Sequence, residues 1–157
     1  VFASAVTPYM LKTRDNPDGP MNKQDAKRAA AALMRDEDAF YDEQMIEFFS
    51  ANGELKVSDD QCQKALALCK QASKEASLAC MAAWSSTDFR DDLHLISVPT
   101  GVIHGDADAS VPFEGSAPLT HAAIPGSALH VIADGPHGCN LTDADEFNEV
   151  LLKFLEQ

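Results

Sequence analysis

His104-Gly105-Asp106-Ala107-Asp108-Ala109-Ser110-Val111-Pro112, followed further on by Gly135-Pro136-His137-Gly138, decides how this chain is read. Each motif comes directly after a short apolar run rich in β-branched residues, 98–104 before the first and 127–133 before the second. Pro99 is no obstacle, because proline is tolerated at a strand's first positions. Residues 113–124 have helical character and close at Pro125-Gly126, and 142–155 carry Phe147, Val150, Leu151, Phe154 and Leu155 as an inner helical face. Strand, helix, strand, helix in such tight order is the βαβ pattern of a parallel sheet with helices on its faces.

In open α/β sheets ligands bind beyond the carboxyl ends of the strands. Asp108 and His137 both fall there, and parallel neighbouring strands would bring their loops out side by side. A carboxylate bonded to one imidazole nitrogen fixes the tautomer, so that the other nitrogen can take a proton from a nucleophile. The same carboxylate stabilises the imidazolium that forms. Asp106 is expected to order the acid loop, while His94, His121 and His130 look like surface or strand-face residues. His104, Asp106 and Asp108 alternate at strand spacing, which leaves a metal site as a weaker alternative. Gly105 and the loop after it suit a catalytic-acid turn better.

Working back toward the start, residues 84–93 change character after a long helical stretch, and Thr87–Leu93 reads as a short capped turn or helix. Before it the sequence predicts four helices. Asn22 caps the first, through the Ala29–Ala32 run to Met34. The second spans about 38–50, with Phe40, Tyr41, Met45, Phe48 and Phe49 as an apolar stripe and Asn52-Gly53 as its end. Ser58-Asp59-Asp60-Gln61 is a capping box opening the third, and a fourth covers about 73–84. Such a stripe is more often core than pocket lining. Residues 14–20 are turn formers and mark a boundary. Residues 1–6 read as a buried parallel strand stopped at Thr7-Pro8.

Composition sets the outer limits. The 157 residues are enough for one domain burying roughly 70 % of its unfolded surface. The net charge of −13, from 25 acidic and 12 basic residues, argues against nucleic acid and anionic membranes as partners. Cys62, Cys69, Cys80 and Cys139 form no C-x-x-C pair and no zinc spacing. They read as small core residues in a reducing compartment, hence a cytoplasmic location. No apolar run is long enough to span a bilayer.

From about Trp84 onward the chain resembles the α/β-hydrolase fold family, nearest its bacterial non-haem chloroperoxidase, arylesterase and perhydrolase branch. The resemblance rests on Ser86-Thr87-Asp88-Phe89, Val98-Pro99-Thr100, the His104–Asp108 stretch, Val111-Pro112-Phe113-Glu114, Ile124-Pro125-Gly126, Pro136-His137-Gly138 and Asn148-Glu149-Val150-Leu151-Leu152-Lys153-Phe154. Pro8-Tyr9-Met10-Leu11-Lys12-Thr13 is similar to the segment after that family's sixth strand. The resemblance implies an α/β fold corresponding to the family's C-terminal part, with about three parallel strands, flanking helices and a helical cap insertion. Residues 1–14 would be core strand and loop, 15–83 the cap, and 84–157 the core part carrying acid and base. Asp108 maps to the acid and His137 to the base, and the order Ser…Asp…His agrees with these two coming last.

The resemblance further implies a serine-type ester hydrolase with perhydrolase or non-haem haloperoxidase side activity, acting on a small acyl ester without cofactor or metal. Phe113, Ser110 and Cys139 are its candidate pocket residues. Ser110 stands where the branch usually has an apolar residue, and Cys139 where an aromatic is common. No Gly-x-Ser-x-Gly occurs, and no serine sits in a Gly-flanked turn. The expectation is therefore a chain inactive alone, either truncated or completed by a complementary chain, with a homo-oligomer as an open alternative. The competing reading is a non-catalytic, hydrolase-derived binding or assembly fragment.

Overall fold

The strand Gly101–Gly105 is buried at every position and lies at the centre of a three-stranded parallel sheet. The computed structural model describes residues 1–156. In chain order the elements before the central strand are β1 (Phe2–Ala3), α1 (Lys23–Arg35), α2 (Glu37–Phe49), β2 (Ser50–Ala51), β3 (Glu54–Leu55), α3 (Asp59–Cys69), α4 (Lys74–Ser86) and α5 (Arg90–Leu93). The central strand is β4, followed by α6 (Ala117–Ala123), β5 (Ala128–Ile132), α7 (Cys139–Thr142) and α8 (Ala144–Leu155). β4 pairs with β1 on one side and β5 on the other, in a register that sets Gly105 beside Ile132.

Two apolar clusters organise the chain. Ile103 and Ile132 pack against Cys139 and Phe147, with Val150 and Leu151 at the margin. A Cβ on Gly101 would touch the Phe154 ring at 3.3 Å, so 101 and 103 face α8. Strand alternation then turns Val102 and His104 to the opposite face. The second cluster joins Leu33, Tyr41, Met45, Phe49, Cys62 and Leu66 from α1, α2 and α3. Its helices start where short polar side chains accept orphan backbone N–H groups. Asn22 bonds Gln24 and Asp25, Asp36 bonds Ala39, Ser58 bonds Gln61, and Ser73 bonds Ala76.

Several boundaries differ from the sequence reading for identifiable reasons. β1 is two residues long, because Ser4 turns into the left-handed region (φ 44°) after its N–H reaches Ile103 O. β4 begins at Gly101, since Pro99 has no N–H to donate and the Thr100 hydroxyl turns back to Val98 O. Residues 113–124 split into a 3₁₀ turn, Phe113–Gly115, and α6, with the Ser116 hydroxyl bonding Pro112 O and Phe113 O at the break. The last predicted helix, 142–155, starts at Ala144 as α8, because Thr142 ends the separate turn α7 and Asp143 parts the two, and Leu155 is 65 % exposed, outside the inner face. Asn52-Gly53 does not merely end a helix. With φ of 52° and 82° the pair makes the tight turn of a hairpin between β2 and β3. Cys62 and Cys139 are buried, but Cys80 is exposed on α4 and fills no core.

Candidate active site

The tips of β4 and β5 are laced together by backbone. Asp106 N donates to Ile132 O at 3.1 Å, and Ala107 N to Gly135 O at 3.1 Å. The Asp106 carboxylate accepts from Asp134 N at 2.7 Å. Gly105 and Gly135 make this approach sterically feasible, since a Cβ on Gly105 would sit 2.1 Å from Gly135 O. Sequence reading gave Asp106 an ordering task, and its bond across the two loops is of that kind.

Asp108 has a side chain with no solvent exposure. Its Oδ1 accepts from Val111 N at 2.7 Å, closing the acid turn. Its Oδ2 faces two imidazoles, His137 Nδ1 at 2.7 Å and His104 Nε2 at 3.0 Å. Burial pushes the Asp108 carboxyl up, yet the hydrogen bonds from His104 and His137, the His137 charge and the Val111 N–H outweigh it. The carboxyl is held below its ordinary value, and Asp108 is a carboxylate. With Nδ1 engaged by Asp108, Nε2 is the His137 nitrogen left to exchange a proton.

Helix α2 closes over this pair. Gly138 N donates to Phe48 O at 2.9 Å, and the Phe48 ring stands edge-on to His137 with centroids 4.6 Å apart. Phe40, Tyr41, Met45, Phe48, Trp84 and Val111 supply the apolar lining of a cavity of about 560 Å³ that opens onto His137. Glu47 and Ser110 belong to its polar lining, close enough for the Ser110 hydroxyl to act on the Glu47 carboxyl. Burial and the Asp108 charge raise the Glu47 carboxyl, and the Ser110 bond and the His137 charge only partly oppose them.

The candidate residues therefore have different fates. Asp108 and His137 are joined, and Ser110 lines the cavity. Phe113 does not line it: the 3₁₀ turn aims its ring at His104, edge-on at 5.9 Å. Cys139 does not either, because as the first residue of α7 it faces the sheet, against Ile103 and Ile132, with Sγ 3.7 Å from Ser4 Oγ. The aromatic stripe of α2 serves both readings, Tyr41, Met45 and Phe49 in the core and Phe40 and Phe48 mainly at the cavity.

The strand-spaced metal alternative fails on geometry, since His104 and Asp108 bond each other while Asp106 turns to Asp134. Among the described residues no three His, Cys, Asp or Glu side chains could hold a metal ion. His94 is exposed, His121 bonds Ser127 and His130 bonds Glu146. Sequence reasoning missed Glu47 and the contact of His104 with the acid. Glu47 gives no local signal, because only the docking of α2 brings it to the site.

No family profile matches the sequence. A non-heme chloroperoxidase of Streptomyces lividans is 36 % identical over 99 % of this chain and 57 % of its own length. A bifunctional esterase/perhydrolase of Acinetobacter calcoaceticus is 32 % identical over 99 % of this chain and 56 % of its own. Among solved structures, the bromoperoxidase from Bacillus anthracis superimposes with a TM-score of 0.96 at 44 % identity, covering 99 % of this chain and 57 % of that one. The chain thus spans a little over half the length of the relatives it matches. Among the described residues no helix is long and apolar enough to cross a membrane.

Proposed function

Because this chain belongs to the α/β-hydrolase fold family and carries the C-terminal part of that fold, in the branch of the non-heme chloroperoxidases and esterases, we propose that Asp108 and His137 are the acid and base of an ester-hydrolysing triad. The observation that carries this reading is the 2.7 Å bond from His137 Nδ1 to a fully buried Asp108 carboxylate at adjacent strand tips. The serine comes from outside these 157 residues, earlier in the same polypeptide or on a complementary chain. β1 lies at the sheet's edge, where the part that brings the serine would add its strands.

In the proposed cycle the serine oxygen attacks the acyl carbonyl while its proton passes to His137 Nε2. Asp108 stabilises the resulting imidazolium. His137 then hands the proton to the departing alkoxide, leaving an acyl-enzyme. Water, deprotonated by the same nitrogen, releases the acid and restores the serine. Hydrogen peroxide in place of water releases a peracid instead, which is the chemistry behind the perhydrolase side activity. The apolar cavity under α2 favours a small neutral acyl group. The absence of disulfides among the four thiols favours a cytoplasmic setting.

Fluorophosphonate labelling of the natively purified protein, with intact mass measured alongside, tests the proposal. The expected result is a single labelled serine beyond the 157 residues, on a longer chain or a co-purifying partner. Absence of labelling in a folded, natively purified sample would overturn it in favour of a non-catalytic module.

A further inference from the structure

The acid of the proposed triad is gripped by a second histidine that the mechanism does not use. His104 is 1 % exposed near the end of the central strand β4, with the Phe113 ring packed on its edge. Its Nε2 lies 2.9 Å from Val111 O and 3.0 Å from Asp108 Oδ2. Both neighbours are acceptors, so this nitrogen carries a proton, which it donates to Val111 O while its edge faces Oδ2. Val111 N in turn donates to Asp108 Oδ1. Val111 thus links the two side chains, its O bonded by His104 Nε2 and its N–H bonded to Asp108 Oδ1, while the same imidazole edge stands 3.0 Å from Oδ2.

We infer that His104 is a positioning residue, whose Nε2–H, bonded to Val111 O and set against Oδ2, fixes the turn that holds the Asp108 carboxylate in the orientation that receives His137. Without it, the carboxylate would depend on a Val111 peptide no longer anchored at its own O and on the imidazole it has to orient. Phe113, a candidate pocket wall from the sequence, acts one step further back by bracing the His104 ring. The inference rests on Asp108 being the acid of the proposed triad, but its structural content is separable from turnover.

The test is proton NMR of the ¹⁵N-histidine-labelled natural protein, following the low-field proton between His137 Nδ1 and Asp108 in three variants. His104→Leu removes the donor, and His104→Asn keeps polarity but falls short of Oδ2. His104→Gln places an amide N–H near the Nε2 position. The protected low-field resonance is expected to be lost in the Leu and Asn variants and recovered in the Gln variant. In the same samples, kcat for p-nitrophenyl acetate should fall about 10–100-fold in the Asn variant with little change in KM, the scale seen when outer-shell partners of metal-bound histidines are removed. A resonance unchanged in His104→Asn, or lost equally in His104→Gln, overturns the inference. If the resonance behaves as expected but no variant and no wild-type sample turns over ester, it is the hydrolase reading that fails.

Discussion

Gly138 N–H and Phe48 O, 2.9 Å apart, join the loop that carries His137 to the last turn of α2. The bond uses a carbonyl that the helix end leaves free, and it draws the Phe48 ring against the imidazole. The segment that covers the site therefore also positions the His137 imidazole. Asn52 on the β2–β3 turn adds a second tie, donating to the Asp134 carboxylate at 2.7 Å.

Phe48→Ala should loosen the imidazole without unbinding it from Asp108. An edge-on aromatic pair is worth about 0.5–1.5 kcal/mol beyond its buried area, so a kcat loss of roughly threefold to tenfold is expected once the serine is present. The cavity also gains volume in this variant. Bulkier acyl p-nitrophenyl esters should accordingly lose less kcat/KM than acetate does, and a uniform loss across the series would show that Phe48 has no part in the pocket.

Gly138→Ala tests the same contact from the other side. Gly138 has an ordinary φ of −80°, so alanine meets no backbone penalty there. A Cβ would, however, stand 2.5 Å from the buried Phe49 ring and 2.9 Å from Phe48. Overpacking of this kind costs about 1–3 kcal/mol, to be read as a lower midpoint in urea unfolding. At Gly53 nothing lies within 4 Å, and only the φ of 82° opposes a side chain. Gly53→Ala should therefore lower stability through conformation alone, leaving ester turnover as it was.

Much of this was legible in the residues, and the exceptions have physical causes. Asp108 and His137 follow apolar runs that end in turn formers, so their meeting at neighbouring strand tips follows from βαβ order. The caps Asn22, Ser58 and Ser73 are equally local signals. What the chain order hides is how α2 docks, and with it Glu47 near Ser110 and Phe48 on His137; the turn of Phe113 toward His104 and of Cys139 toward the sheet is equally a matter of packing. His104 drew notice for its spacing from Asp108, but spacing alone does not tell shared metal ligation from a direct bond. The Asn52-Gly53 hairpin was readable from its turn chemistry and was masked by the helix preceding it.

Asp108→Asn bears on both mechanism and stability. The amide cannot stabilise the imidazolium, and by analogy with the equivalent change in a serine protease kcat should fall by about 10⁴. The folded-state value of Asp108 lies below that of the unfolded chain. Its network thus contributes stability that is complete above the unfolded carboxyl range and is lost as pH falls through the lowered folded value. The wild type should lose more Tm than the Asn variant over that acidic interval. Parallel losses would mean that the carboxylate is not the group being titrated.

Glu47→Gln should show the opposite dependence. Burial and the neighbouring Asp108 charge raise the Glu47 carboxyl in the folded state. A carboxyl with a raised folded value binds its proton more tightly in the native protein, so protonation favours folding. Its favourable contribution is complete below the unfolded value and disappears as pH rises through the folded one. At neutral pH the wild type thus carries a charge that partial desolvation and Asp108 disfavour, an effect that solvent damps because Glu47 is exposed, and a neutral amide relieves it. Glu47→Gln is expected to melt at a higher temperature than wild type at pH 7, with the gap closing toward pH 3. A variant that is less stable at pH 7, or a gap that widens on acidification, would show that the contact with Ser110 and the His137 charge outweigh the partial desolvation of Glu47.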